Sequence, residues 1–168
     1  MTSITEKPTR NWFTDKELQC GCRHCQTARK AGEPVGFNAG EMKLEFLLHL
    51  NRLREYWYCK PMPVSSGFRC LSHPIEAKKV TGAKAAGLGF VPGDHPCGLG
   101  VDIQLAGEDA LELLEAAGAY NYAHARAGMG RPFTAISPNQ RGTWGSRFVH
   151  LGANVDGIGR PRPTIWTY

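Results

Sequence analysis

The sequence predicts an α+β domain, a small antiparallel sheet packed against a few helices. Three observations carry that expectation. Residues 41–57 and 108–117 repeat apolar side chains near the 3.6-residue helical period. Residues 101–105 and 147–151 instead alternate apolar and polar side chains, as half-buried strands do. The 20 glycines and 11 prolines of this 168-residue chain punctuate the rest, so loops and short strands are expected between the helices.

In chain order, residues 1–12 read as a flexible arm, and 13–168 as a single domain. Thr14 followed by Glu17 is a capping box that opens a short helix. A cysteine cluster follows, then a polar, glycine-containing connection to about residue 40. The 41–57 helix presents Leu44, Leu47, Leu48, Leu50, Leu53 and Trp57, and it ends ahead of Pro61 and Pro63. Met62 to Ser65 is expected as a strand, and Pro74 to Lys79 as a short helix before a Gly/Ala-rich loop. Gly98 to Leu105 reads as loop into strand. The helix from Glu108 to Ala117 turns Leu111, Leu114 and its alanines inward. Further strands are expected at Phe133–Ile136 and Arg147–Leu151, before a tail anchored by Trp166 and Tyr168.

Composition excludes several classes. The glycines have no collagen-like period, and the chain is too rich in aromatic and aliphatic side chains to be disordered. No apolar stretch approaches the roughly eighteen residues of a membrane span. The net charge of +5 suits a polyanionic partner. The basic residues are scattered, however, without the stripe or module that nucleic-acid binding calls for, so an anionic cell wall is the better expectation. Residues 1–8 lack the apolar core of a secretory signal, which implies synthesis in the cytoplasm and delivery to the wall by another agent. A monomer is expected.

Six cysteines stand at 20, 22, 25, 59, 70 and 97. Thiolates at the spacing of Cys20, Cys22 and Cys25, with His24 or a distant Cys as fourth ligand, suit a structural zinc. Buried free thiols or one local disulfide fit the same spacing.

The segment from Gly93 to Leu105 carries the candidate chemistry. Val101, Ile103 and Leu105 share one strand face, which puts Asp102 on the other, and Gly98 and Gly100 let the backbone fold His95 back towards it. In Arg147–Leu151, Val149 and Leu151 face one way and His150 the other. If the two strands are neighbours, His95, Asp102 and His150 form a two-nitrogen, one-carboxylate set with an open fourth position, the ligand count of a catalytic zinc. A core histidine and a turn-forming aspartate are the plainer reading of the same residues.

The joint pattern resembles the D-Ala-D-Ala carboxypeptidase-like zinc peptidases, which take in phage L-Ala-D-Glu endolysins and murein endopeptidases with a hedgehog-like fold. The likeness rests on His95-x6-Asp102 with glycines between, the Phe148-Val149-His150 strand, and Ser66-Gly67-Phe68-Arg69-Cys70, which resembles the family's SGYR stretch. Ser72 to Ala77 and Arg162 to Tyr168 resemble a phage-borne branch. The resemblance implies a zinc-dependent peptidase that cuts peptidoglycan stem peptides or cross-links in the periplasm or wall, phage-borne or virion-associated. It implies His95, Asp102 and His150 as the zinc ligands and Arg69 as the partner of a substrate carboxylate.

The chain departs from that family at three positions. Gly93 stands where a serine is usual. Relatives carry a carboxylate three residues before the last histidine or two after it, and here those positions are Arg147 and Gly152. Asp156 is the expected replacement as general base, with His73 or Asp94 as substitutes. A wall-binding module with impaired turnover is the alternative reading. A cysteine hydrolase built on Cys97 and His95 is disfavoured, because no oxyanion motif accompanies the pair.

Overall fold

The protein is an α+β fold. The computed structural model describes residues 8, 10–33 and 42–153, and the backbone of 164–165. Helices α1 (Asp15–Leu18), α2 (Arg23–Lys30), α3 (Leu44–Tyr56), α4 (Pro74–Ala85) and α5 (Glu108–Arg126) surround a sheet of β1 (Val64–Ser66), β2 (Gly100–Ile103), β3 (Ala135–Asn139), β4 (Phe148–Gly152) and β5 (Thr164–Ile165). The sheet order is β1-β2-β4-β3-β5, antiparallel except for β5, which runs parallel to β3.

Period-two alternation divides the sheet into two faces. Val101, Ile103, Ile136, Val149 and Leu151 point to one side, where they join Phe46, Leu50, Leu53 and Trp57 from α3 and its C-cap, and Leu113, Ala117 and Tyr120 from α5. Each large apolar side chain so buried stabilises the fold by about 1.5–3 kcal/mol. Phe46 and Phe133 meet edge to face at 6.0 Å. The capping box at Thr14 and Glu17 forms as expected, with the Thr14 amide donating to Glu17 Oε2 at 2.8 Å.

Several boundaries and faces differ from the expectation. The buried side of α3 is Phe46, Leu50, Asn51 and Leu53, while Leu44 lies 72 % exposed in the first turn, ahead of the core. The α4 helix runs on to Ala85, because Ala83 and Ala85 favour helix and Gly82 faces open space. In α5, Leu111 is exposed, and the helix continues through Gly118 to Arg126. Its extra turns bury Tyr120, Asn121 and His124, and Asn121 clamps both backbone groups of Phe133 at 2.9 and 2.6 Å. Residues 10–12, read as part of a loose arm, are tied to α3. The Trp12 amide donates to Asn51 Oδ1 at 2.6 Å, and Arg10 lies over the Trp12 ring. Trp166 and Tyr168 lie outside the described residues. Among the described residues no helix is long and apolar enough to cross a membrane.

Candidate metal centre

The polar face of the sheet holds the site. Antiparallel register sets Asp102 opposite His150, Ser66 opposite Asp102, and Ser137 opposite His150. Directly opposed residues project to the same side, so Ser66, Asp102, His150 and Ser137 form one row across four strands. Ser137 is fully buried, and its hydroxyl has no partner among the described residues.

His95 reaches this row from the loop before β2. The Leu99 amide donates to the Asp94 carbonyl at 2.9 Å, and Gly98 turns the chain at φ +69°. Gly100 serves differently. A Cβ there would lie 2.6 Å from Asp94 Cβ and 3.1 Å from the His95 nitrogen, so only glycine lets the loop approach the strand this closely.

The hydrogen bonds fix how both imidazoles face. His95 Nδ1 sits 2.6 Å from the Gly67 carbonyl, which only accepts, so Nδ1 carries the proton and Nε2 offers its lone pair. His150 Nε2 lies 3.0 Å from Asp94 Oδ2 and likewise donates outward. The inner nitrogens, His95 Nε2 and His150 Nδ1, then aim at one atom, Asp102 Oδ1, at 3.2 and 2.8 Å. Two imidazole lone pairs and a carboxylate oxygen repel one another unless a proton or a metal cation sits between them. The three ligand atoms lie within 4.8 Å of one another. A tetrahedral zinc with bonds of about 2.1 Å would set them roughly 3.4 Å apart. The donor set therefore fits a borderline divalent metal.

Without an ion, protons on the imidazoles take the place of the cation. Burial works to raise the Asp102 carboxyl, yet the two imidazoles outweigh it and hold the group well below the ordinary carboxylate range. Burial lowers His95. Burial also works to lower His150, but its bonds to Asp102 and Asp94 win, and its net displacement is upward. His95, Asp102 and His150 are each at most 6 % exposed. Among the described residues the ligand set stops at these three.

The surrounding shell is equally specific. Arg69 donates from Nε to Ser66 Oγ at 2.7 Å and from Nη2 to Asp102 Oδ2 at 2.5 Å, and Nη1 lies 3.8 Å from the wholly buried Glu76. The guanidinium thus steadies the ligand carboxylate from behind. Asp94, weighed as a base, binds the imidazole nitrogen of His150 that faces away from the other ligands, so its position is that of a ring-orienting group. His73 caps α4 by accepting from the Ile75 amide, and burial together with the Arg69 charge lowers it. Arg147 donates to the Gly142 carbonyl. Asp156 lies outside the described residues. Cys97 is displaced upward by burial, the wrong direction for a nucleophile.

Gly152 has a steric explanation. A Cβ at this position would meet Asp94 Oδ2 at 2.4 Å and His150 Nε2 at 2.9 Å. Asp94 therefore fills the space that a side chain at 152 would need. Sequence spacing identified the three convergent residues and weighed Asp94 as a base, but missed its ring-orienting position, the Gly67 carbonyl and Glu76. The signals available for them were slight: an aspartate next to the first histidine, and a glycine where a carboxylate was expected.

A second convergent group lies elsewhere. Cys20, Cys22, Cys25 and Cys70 place their sulfurs within 4.8 Å of one another, whereas His24 is exposed and takes no part. The fourth member of the cysteine cluster is thus the distant Cys70.

No protein-family model matches the chain, nor does any curated protein.

Proposed function

We propose that the chain is a zinc-dependent peptidase that hydrolyses peptide bonds in peptidoglycan, related to the D-Ala-D-Ala carboxypeptidase-like peptidases with their hedgehog-type fold. The reading is carried by one observation: two imidazoles, each with its outer nitrogen pinned by an acceptor, present their inner lone pairs to a single carboxylate oxygen. Three protein ligands of this kind leave a coordination position for water or substrate. A zinc ion held there supplies a Lewis acid and lowers the pKa of its water towards about 7.

The chain's own residues do the rest. Asp94 and the Gly67 carbonyl keep both rings in the ligating tautomer. Arg69 holds Asp102 in place, and the same guanidinium, 13 % exposed, is suited to orient a stem-peptide carboxylate at the site edge. Asp156, four residues beyond Gly152, is the proposed general base. Asp156→Asn is expected to lower turnover of purified muropeptides by about 10²–10⁴-fold while zinc content stays unchanged. Unchanged turnover would remove Asp156 from the mechanism.

A second reading is a zinc-stabilised wall-binding module with impaired catalysis. It is favoured by the absence of a carboxylate at 147 and by the occupancy of Gly152's side-chain space by Asp94. Zymography on cell-wall substrate separates the two. The peptidase reading predicts clearing that a chelator abolishes and added zinc restores, with new peptide termini in the muropeptides by mass spectrometry. Wall binding without new termini would leave the module reading standing.

A further inference from the structure

The cysteine cluster is independent of the His/Asp/His centre. Cys22 is the N-cap of α2 and Cys25 lies in its first turn, with the Cys25 amide 3.5 Å from Cys22 Sγ. Cys20 precedes them, and its carbonyl accepts from Arg29 at 2.8 Å. Cys70 arrives from the opposite side, on the loop after β1, and its sulfur stands 3.5 Å from that of Cys22. A disulfide needs about 2.05 Å between sulfurs. Four thiolates around a zinc, at about 2.3 Å each, lie about 3.8 Å from one another. The observed spread, 3.5 Å at Cys22–Cys70 and within 4.8 Å throughout, brackets that edge length.

The surroundings are short of apolar material. Cys20, Cys25 and Phe68 are the buried members of this small cluster, with Cys22, Cys70 and Met42 against it. So small a core contributes little burial energy, and folds in that position commonly rely on a staple. The other two cysteines are not involved. Cys59 is exposed, and Cys97 lies against the Pro92 carbonyl.

We propose that Cys20, Cys22, Cys25 and Cys70 bind a structural zinc ion that clamps α2 to the Gly67–Cys70 loop. The four thiols release their protons on binding, and Arg29, whose guanidinium donates to the Cys20 carbonyl, is the cation placed beside the cluster. The clamped loop also carries the Gly67 carbonyl that holds His95 and the Arg69 guanidinium that holds Asp102. The second ion therefore buttresses the first centre without contacting it.

The test is the zinc content of the full chain by elemental analysis and native mass spectrometry. Wild type is expected to hold two equivalents, His150→Ala one, and a Cys22→Ser/Cys70→Ser double variant one. Should the double variant fail to fold, cobalt substitution of the wild type decides, because only the cysteine site can give sulfur-to-cobalt charge-transfer absorption. Zinc kept by His150→Ala but lost on titration with a thiol-capturing mercurial supports the cysteine site, whatever becomes of the histidine one. Four freely alkylated thiols with no sulfur-to-cobalt band, or a chain two hydrogen masses short from a Cys22–Cys70 disulfide, would overturn it.

Discussion

A Cβ at Gly152 would collide with the carboxylate of Asp94 and with the ring it orients. Gly152→Ala is therefore expected to lose metal affinity by more than Asp94→Asn does, and Asp94→Asn itself by about 10–100-fold, the usual effect of removing an outer-shell carboxylate. Isothermal titration of the metal-free protein with zinc checks both. A second titratable residue lies far from that site. His49, on α3, faces Tyr120 at 3.1 Å, the His124 ring and Arg52, and burial followed by the His124 and Arg52 charges lowers it to about 4. The unfolded chain takes up that proton first. Stability is untouched above about pH 6.5 and falls as the pH drops from there to about 4, by about 1–2 kcal/mol once solvent screening at a half-buried ring is discounted. His49→Gln is expected to remove that loss, read as the difference between variant and wild-type urea midpoints at pH 7 and 4.5. At this scale the convergence of Asp102 and His150 was legible because alternation fixes which way a strand residue points. The role of Asp94 was not, because it depends on a loop folding back onto a glycine fifty-eight positions away, and no local pattern encodes that contact.

Among the elements, α3 and α5 bear most of the core. Leu113→Ala on α5 is expected to destabilise the protein by about 2–5 kcal/mol, whereas Leu111→Ala, two positions earlier on the solvent side, should change it by no more than about 0.5 kcal/mol. Comparable losses in urea denaturation for both would contradict the assigned faces. The contrast shows where helical periodicity was informative. The period announced a helix at 108, but the leucines alone did not set its phase. Ala110, Leu113, Ala117, Tyr120 and His124 define the buried stripe, and it emerges only when Gly118 is allowed within the helix. Tertiary burial of Tyr120 and Asn121 outweighs the roughly 1 kcal/mol propensity penalty of that glycine. The short strands fared better, since β2 and β4 each contain a period-two run with one buried polar residue in its middle.

For the molecule as a whole, a metal held by either convergent group would make stability depend on the bound ion. A metal present at a hundred times its dissociation constant contributes about 2.7 kcal/mol. Stripping it with a chelator is expected to lower the melting temperature by about 5–10 °C in a chain of this size, and re-added zinc should restore it. A melting curve indifferent to chelation would mean that neither group retains an ion. The net charge of +5 adds a second expectation at this scale. Association with isolated anionic cell wall should weaken progressively as ionic strength rises from 0.05 to about 0.5 M, because the Debye length falls below 10 Å over that range. The fold class was legible from periodicity and glycine content together. The meeting of Cys70 with the N-terminal thiols was not, since forty-five residues separate it from Cys25 and sequence spacing says nothing about their approach.

Gly67 has no room for a side chain, because a Cβ there would lie 2.3 Å from the Leu18 carbonyl oxygen, and that same oxygen receives the Phe68 amide at 2.7 Å. The ring of His95 leans on the next carbonyl of this seam. The segment around Leu18 thus braces the loop on which His95 leans, and trimming the chain back past Leu18 would unseat an imidazole more than seventy positions downstream. Shortened versions made for expression should begin ahead of Arg10, and fusions are better joined there than at the cysteines.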